Sequence, residues 1–202
     1  MEAVLMKVLY APTSPFSAKV RMAARYCGFD IESVPVNSNE SPLELTSQNP
    51  LGKIPTLITD TGQAIFDSRV IMQFLNRESG GKLYPSEHSA RTAAESLEAL
   101  SDGTTDALLA HVYERRFRPE EIVHQPWLDR QWGKATRAME YIQANPPKID
   151  GALNGGHFSL AALAAYLKLR FAGEWEDKCP ALLAFGEEFG TVFPDYDSLK
   201  PQ

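Results

Sequence analysis

Asn49-Pro50-Leu51-Gly52-Lys53-Ile54-Pro55-Thr56-Leu57-Ile58-Thr59-Asp60-Thr61-Gly62-Gln63-Ala64-Ile65-Phe66-Asp67-Ser68 joins a proline-bearing strand, a hairpin turn and an acidic helix start. Residues 56–59 and 64–66 read as two short strands around the turn at Asp60-Thr61-Gly62, and Asp67-Ser68 opens a helix. A cis Ile54-Pro55 bond turns the strand end outward, so that its backbone can grip the backbone of a ligand. Cis bonds are only about 5–6% of X-Pro bonds, so this expectation rests on the surrounding motif. The helix start suits a carboxylate, because first-turn amides are unpaired and the macrodipole is positive there. The Ser68 hydroxyl and N–H match an anionic group and Asp67 matches an amine, so the block suggests a site for a small peptide. By itself Asp67 or Ser68 is also an ordinary N-cap.

Working outward, residues 4–10 read as a strand, 15–26 as a helix ended by Gly28, and 31–36 as a second strand. A short helical stretch at 43–46 precedes the quoted block. Residues 70–77 continue its helix with Ile71, Phe74 and Leu75 on one face, and Gly80-Gly81 ends it. The order strand, helix, strand, helix, strand, strand, helix is thioredoxin-like.

Beyond residue 86 helical periodicity takes over. Ala93, Leu97, Leu100, Leu108, Leu109 and Val112 form one apolar stripe. Trp127, Leu128, Trp132, Ala135, Met139 and Ile142 form another, closed by Pro146-Pro147. The segment Ser101-Asp102-Gly103-Thr104-Thr105-Asp106 is expected to break the long helix with its Gly and β-branched residues. Phe158-Ser159 is expected to open a helix over 160–171 that is apolar nearly all round and therefore buried. The fold class is an α/β N-terminal thioredoxin-like domain plus an all-α C-terminal helical domain: 1–79, a Gly/Pro linker at 80–88, and 89–202.

At 202 residues and 44% hydrophobic content the chain can bury real cores. A net charge of −6 and a pI near 5.3 give no global attraction to nucleic acid or an anionic membrane. Lys7 interrupts the short apolar start, and no stretch approaches a membrane span, so the expected location is cytoplasmic. Cys27 and Cys179 make no CxxC and are expected to be buried free thiols. The histidines at 88, 111, 124 and 157 lack metal-ligand spacing, so no metal is expected, and Gly52-Lys53 lacks an upstream P-loop glycine. The run His111-Val112-Tyr113-Glu114-Arg115-Arg116-Phe117-Arg118 suits an acidic co-substrate at the domain cleft; a solvated helix end with cations at its C-terminus reads the same.

Three blocks, Thr13-Ser14-Pro15-Phe16-Ser17-Ala18-Lys19-Val20-Arg21, Asn49-Pro50-Leu51-Gly52-Lys53-Ile54-Pro55-Thr56-Leu57 and Phe66-Asp67-Ser68, resemble the glutathione transferase superfamily in order and spacing. The likeness is to bacterial serine-type members, and Ser-Pro-Phe also resembles the plant tau class. The resemblance implies that Ser14 holds the glutathione sulfur and that Ile54, beside cis-Pro55, exchanges backbone hydrogen bonds with the cysteinyl residue. It further implies that Asp67 and Ser68 bind the γ-glutamyl end and that Lys53 reaches the glycyl carboxylate. It carries a homodimer, a small hydrophobic or electrophilic co-substrate, and Asp102 or Asp106 meeting the glutathione amine across the dimer. One departure is Ser159 followed by Ala162, where many relatives have Asp to complete a capping box.

A free thiol with pKa near 8.5 is only a few per cent thiolate at neutral pH. Lowering it by about two units takes roughly 2.7 kcal/mol. A hydrogen bond from Ser14 to charged sulfur supplies about 1.5–3 kcal/mol, and the start of the Pro15 helix about 0.3–1 kcal/mol. Ser14 before Pro is also a favoured N-cap pairing, and Thr13 and Ser17 are the neighbouring hydroxyls that offer the alternative sulfur partner. The expected function is glutathione conjugation to a small electrophile. The alternatives are glutathione-dependent reduction of small disulfides or peroxides, and a non-catalytic interaction protein. Absence of Cys from residues 13–17 argues against a protein mixed disulfide.

Overall fold

Ser14 and Pro15 set the start of the first helix by chemistry local to the sequence. In the computed structural model, which describes residues 6–202, Ser14 Oγ accepts from the Ser17 N–H at 3.2 Å and Pro15 takes the first helical position. Helix α1 (Pro15–Cys27) ends where Gly28 adopts φ 87°, a left-handed conformation that costs glycine little, and the Gly28 and Phe29 N–H groups return to the carbonyls of Arg25 and Ala24.

Strand β1 (Met6–Tyr10) lies inside a four-stranded sheet, parallel to β2 (Ile31–Pro35) and antiparallel to β3 (Thr56–Ile58), which pairs in turn with β4 (Ala64–Ile65). The single-turn helix α2 (Leu43–Thr46) precedes β3, and α3 (Ser68–Glu78) follows β4. Register aligns Val8 with Leu57 and Leu57 with Ile65, a buried apolar row across the sheet. Ile71, Met72 and Leu75 of α3 join the same core. This is the expected order of elements, with Val4 and Leu5 of the first strand outside the described residues.

The helical half comprises α4 (His88–Arg116), α5 (Gln125–Ala144), α6 (Gly155–Arg170), α7 (Pro180–Val192) and α8 (Tyr196–Leu199). Helix α6 is buried, as expected, and packs on α4 and α1. A Cβ at Gly155 would lie 2.7 Å from the Tyr84 ring, and one at Gly156 would lie 2.7 Å from the Ala94 carbonyl, so only glycine permits this approach. Cys27 and Cys179 are free and buried.

Three sequence expectations need correction. Helix α4 runs unbroken through Gly103, because the hydroxyls of Ser101 and Thr104 turn back to the carbonyls of Leu97 and Leu100 instead of competing for a turn. Helix α6 begins at Gly155, so Ser159 lies within the helix and not at its cap. The cap is Asn154, whose Oδ1 accepts from the His157 N–H at 3.2 Å while His157 Nδ1 accepts from the Asn154 N–H at 3.3 Å. That reciprocal box is complete, so Ala162 removes nothing from it. Finally, Ala94 faces the core while Ala93 is exposed, a one-residue shift in the predicted stripe.

Candidate functional site

A cleft of about 510 Å³ separates the ends of α1 and β3 from the helical half. On the sheet side it is lined by Thr13, Ser14, Phe16, Lys53 and Ile54; on the helical side by Asp106, Leu109, Tyr113, Arg116, Tyr166 and Arg170. Ser14 Oγ accepts from within its own helix, which leaves the hydroxyl proton to be donated outward. Ser17 does not line the cleft. It is fully buried, with Oγ lacking a partner among the described residues.

The Ile54-Pro55 bond is cis, as the sequence motif led one to expect. Among the described residues neither backbone polar group of Ile54 enters a backbone hydrogen bond, so both are available where the chain borders the cleft. The preceding loop is held by Asn49, a residue the sequence reading passed over. It is 1% exposed; its Nδ2 donates to the Lys53 carbonyl at 2.8 Å and to Thr56 Oγ1 at 3.2 Å, and its Oδ1 accepts from the Leu51 N–H at 3.0 Å. An Asn satisfied in this way fixes the exit into β3. Its sequence signal was slight: an Asn just before Pro50 and three residues before Gly52, in a loop of turn-forming residues.

Asp67 and Ser68 sit together at the start of α3 and do not line the 510 Å³ cleft. Asp67 is exposed and caps the helix through the Arg69 N–H at 3.1 Å. Ser68 is buried. Asp106 connects the two regions: it lines the cleft, and its Oδ2 lies 3.6 Å from Arg69 Nη2. Burial pushes the Asp106 carboxyl up, while the nearby Arg69 and Lys53 cations pull it down. Asp102, the other acid considered at this place, is 2% exposed, and its oxygens are engaged by Lys19 and by Arg69 Nε at 3.3 Å. It therefore serves the protein interior, and Asp106 is the acid that faces the cleft.

Behind the site lies a buried ionic cluster. Lys19, 1% exposed, donates to Asp102 Oδ2 at 2.8 Å and to Glu98 Oε1 at 3.2 Å; Tyr84 O–H donates to Glu98 Oε2 at 2.5 Å. Burial and the adjacent Glu98 carboxylate push the Tyr84 phenol well up, so it remains a donor. With Arg69 included, two cations meet two carboxylates. The available signal was Lys19 within the apolar face formed by Phe16, Val20 and Ala23. Tyr166 and Arg170 were also missed: their i, i+4 spacing puts them on one face of α6, but the apolar character of that helix hid it.

Residues 9–83 match the family model described as glutathione S-transferase, N-terminal domain. A glutathione S-transferase from Methylobacillus flagellatus, solved with glutathione bound, superposes with a TM-score of 0.88 at 30% identity, over 98% of this chain and 100% of that one. A glutathione transferase family member from Pseudomonas fluorescens, solved with S-(propanoic acid)-glutathione, gives a TM-score of 0.86 at 30% identity, over 98% of this chain and 100% of that one. The uncharacterized GST-like protein YibF of Escherichia coli is 29% identical over 163 residues, spanning 79% of this chain and 78% of that protein.

Proposed function

The chain belongs to the glutathione transferase superfamily, and on that premise we propose that it binds glutathione between Ser14 and the start of α3 and activates the thiol for conjugation to a small electrophile. The observation that carries this reading is Ser14. It stands at the N-terminus of α1, faces the cleft, and has a hydroxyl proton free to donate beside the unpaired backbone of Ile54. Ile54 N–H and C=O pair with the cysteinyl backbone, Asp67 takes the γ-glutamyl amine, Ser68 takes its carboxylate, and Lys53 takes the glycyl carboxylate.

Ser14 donates to sulfur and keeps its own proton. The thiol proton passes to solvent, the thiolate attacks the electrophilic carbon, and the new C–S bond forms as the leaving group departs with its electron pair. The relatives solved with glutathione and with a glutathione thioether support this assignment. Neither Cys27 nor Cys179 lines the cleft, which favours conjugation over exchange through a protein thiol. The same reading has the protein work as a cytoplasmic homodimer; among the described residues no helix is long and apolar enough to cross a membrane.

Titration calorimetry with reduced glutathione tests the proposal. Binding in the micromolar to millimolar range supports it; absence of heat up to tens of millimolar turns the reading toward a protein that uses the fold as an interaction platform.

A further inference from the structure

The far wall of the cleft carries charge that glutathione, placed as above, does not use. Arg116 in the last turn of α4 and Arg170 in the last turn of α6 both line it, and Tyr166 stands one turn before Arg170. Among the described residues neither guanidinium enters an ion pair. Arg170 Nε is moreover buried without a hydrogen-bond partner. A guanidinium on a cleft wall with no ion-pair partner gains a charge-assisted hydrogen bond when an anion is brought against its accessible N–H groups.

Tyr166 adds a donor. It is 2% exposed, and burial pushes its phenol up to about 12 against the pull of Arg170 and Arg116, so the O–H remains protonated at neutral pH. The acid on the same wall, Asp106, is turned to Arg69. The lining of the same cleft also includes the apolar side chains of Phe16, Leu109 and Ala110.

We propose that the second substrate is a small electrophile carrying a carboxylate, seated against Arg116, Arg170 and Tyr166 with its apolar body and reactive carbon directed toward Ser14. This rests on the glutathione reading and names the substrate class for it. Two guanidiniums and a neutral phenol distinguish a carboxylate from the isosteric amide, which offers no charge to the guanidiniums.

The test uses the full chain and three ligands in calorimetry: glutathione, S-(carboxymethyl)glutathione and S-(carbamoylmethyl)glutathione. The acid thioether is expected to bind at least about tenfold tighter than the amide, the gain of one charge-assisted hydrogen bond. Arg116→Gln and Arg170→Gln should each reduce that ratio, and the double variant should bring it near one, with the affinity for glutathione itself unchanged. Arg116 is exposed, so its single variant reports even if the Arg170 variant folds poorly. A ratio near one in the unmodified protein, with glutathione binding intact, overturns the carboxylate assignment alone. An equal loss for all three ligands in the Arg variants also overturns it, since the guanidiniums would then serve glutathione. No heat with any ligand overturns the glutathione reading and this one with it.

Discussion

Lys19 Nζ lies 2.8 Å from Asp102 Oδ2, and the two side chains are 1% and 3% exposed. Lys19 belongs to the helix that presents Ser14, and Asp102 to the long helix of the other half, so a buried ion pair joins the two walls of the cleft. Breaking such a pair leaves charge without compensation in the interior. Lys19→Met should lower the unfolding free energy by about 3–5 kcal/mol, read as a reduced midpoint in urea denaturation.

Ser14→Ala should raise the pKa of bound glutathione by roughly one to two units, the equivalent of one hydrogen bond to a charged sulfur. Thiolate absorbance near 240 nm against pH measures this. An unchanged titration would transfer the role to Thr13, since Ser17 is buried away from the cleft.

Asp67 has two duties, capping α3 through the Arg69 N–H and, in the proposed function, holding the γ-glutamyl amine. Asp67→Asn retains a capping oxygen but removes the charge. It should weaken glutathione binding by about ten- to a hundredfold with the denaturation midpoint nearly preserved. Asp67→Ala should lose both, with about 1 kcal/mol of stability going with the cap. Calorimetric affinity equal to that of the parent in Asp67→Asn would remove the γ-glutamyl assignment.

His157 closes the cap of α6 as a neutral acceptor, and burial holds its imidazole below the ordinary value of 6.5. Its folded pKa is depressed, so the unfolded chain binds the proton first. The associated stability is fully present above about pH 6.5 and is lost as pH falls from there toward the folded pKa. Melting temperature measured between pH 8 and 5 should therefore decline below about pH 6.5, and more shallowly in His157→Gln, which keeps a side-chain acceptor. His111, depressed chiefly by burial, contributes in the same direction in both proteins.

Sedimentation should return about twice the 22.4 kDa chain mass. A concentration-independent monomer would remove the homodimer from the proposed function.

Local chemistry explains what was legible in the sequence. Ser14-Pro15, Gly28, Ile54-Pro55 and Asp67-Ser68 act on their own backbone, and each lies where its motif put it. What escaped depended on neighbours distant in sequence. Lys19 has the look of a misplaced surface charge until Glu98 and Asp102 are brought against it from another helix. Ser159 resembled a cap because Asn154 and His157 do not match the Ser/Thr-x-x-Glu/Gln form of the capping box, though they make the same reciprocal bonds. Gly103 resembled a break because propensity is a weak prior in a helix packed along its length. Arg116 was visible as a cation in a basic run, whereas its convergence with Tyr166 and Arg170 requires α4 and α6 to be packed side by side.

The glycine pair at the head of α6 gives that helix the mechanics of a lever. Its fulcrum is the contact of Gly155 with the Tyr84 ring and of Gly156 with the Ala94 carbonyl. Tyr166 stands eleven residues further along the same rod, roughly 16 Å away at the helical rise. A methyl group added at Gly156 would lie 2.7 Å from the Ala94 carbonyl, so the rod or its neighbour has to shift, and the far end of the rod carries Tyr166 on the cleft wall. In the proposed reading, two glycines that do not line the cleft thereby bear on the wall that would receive the second substrate.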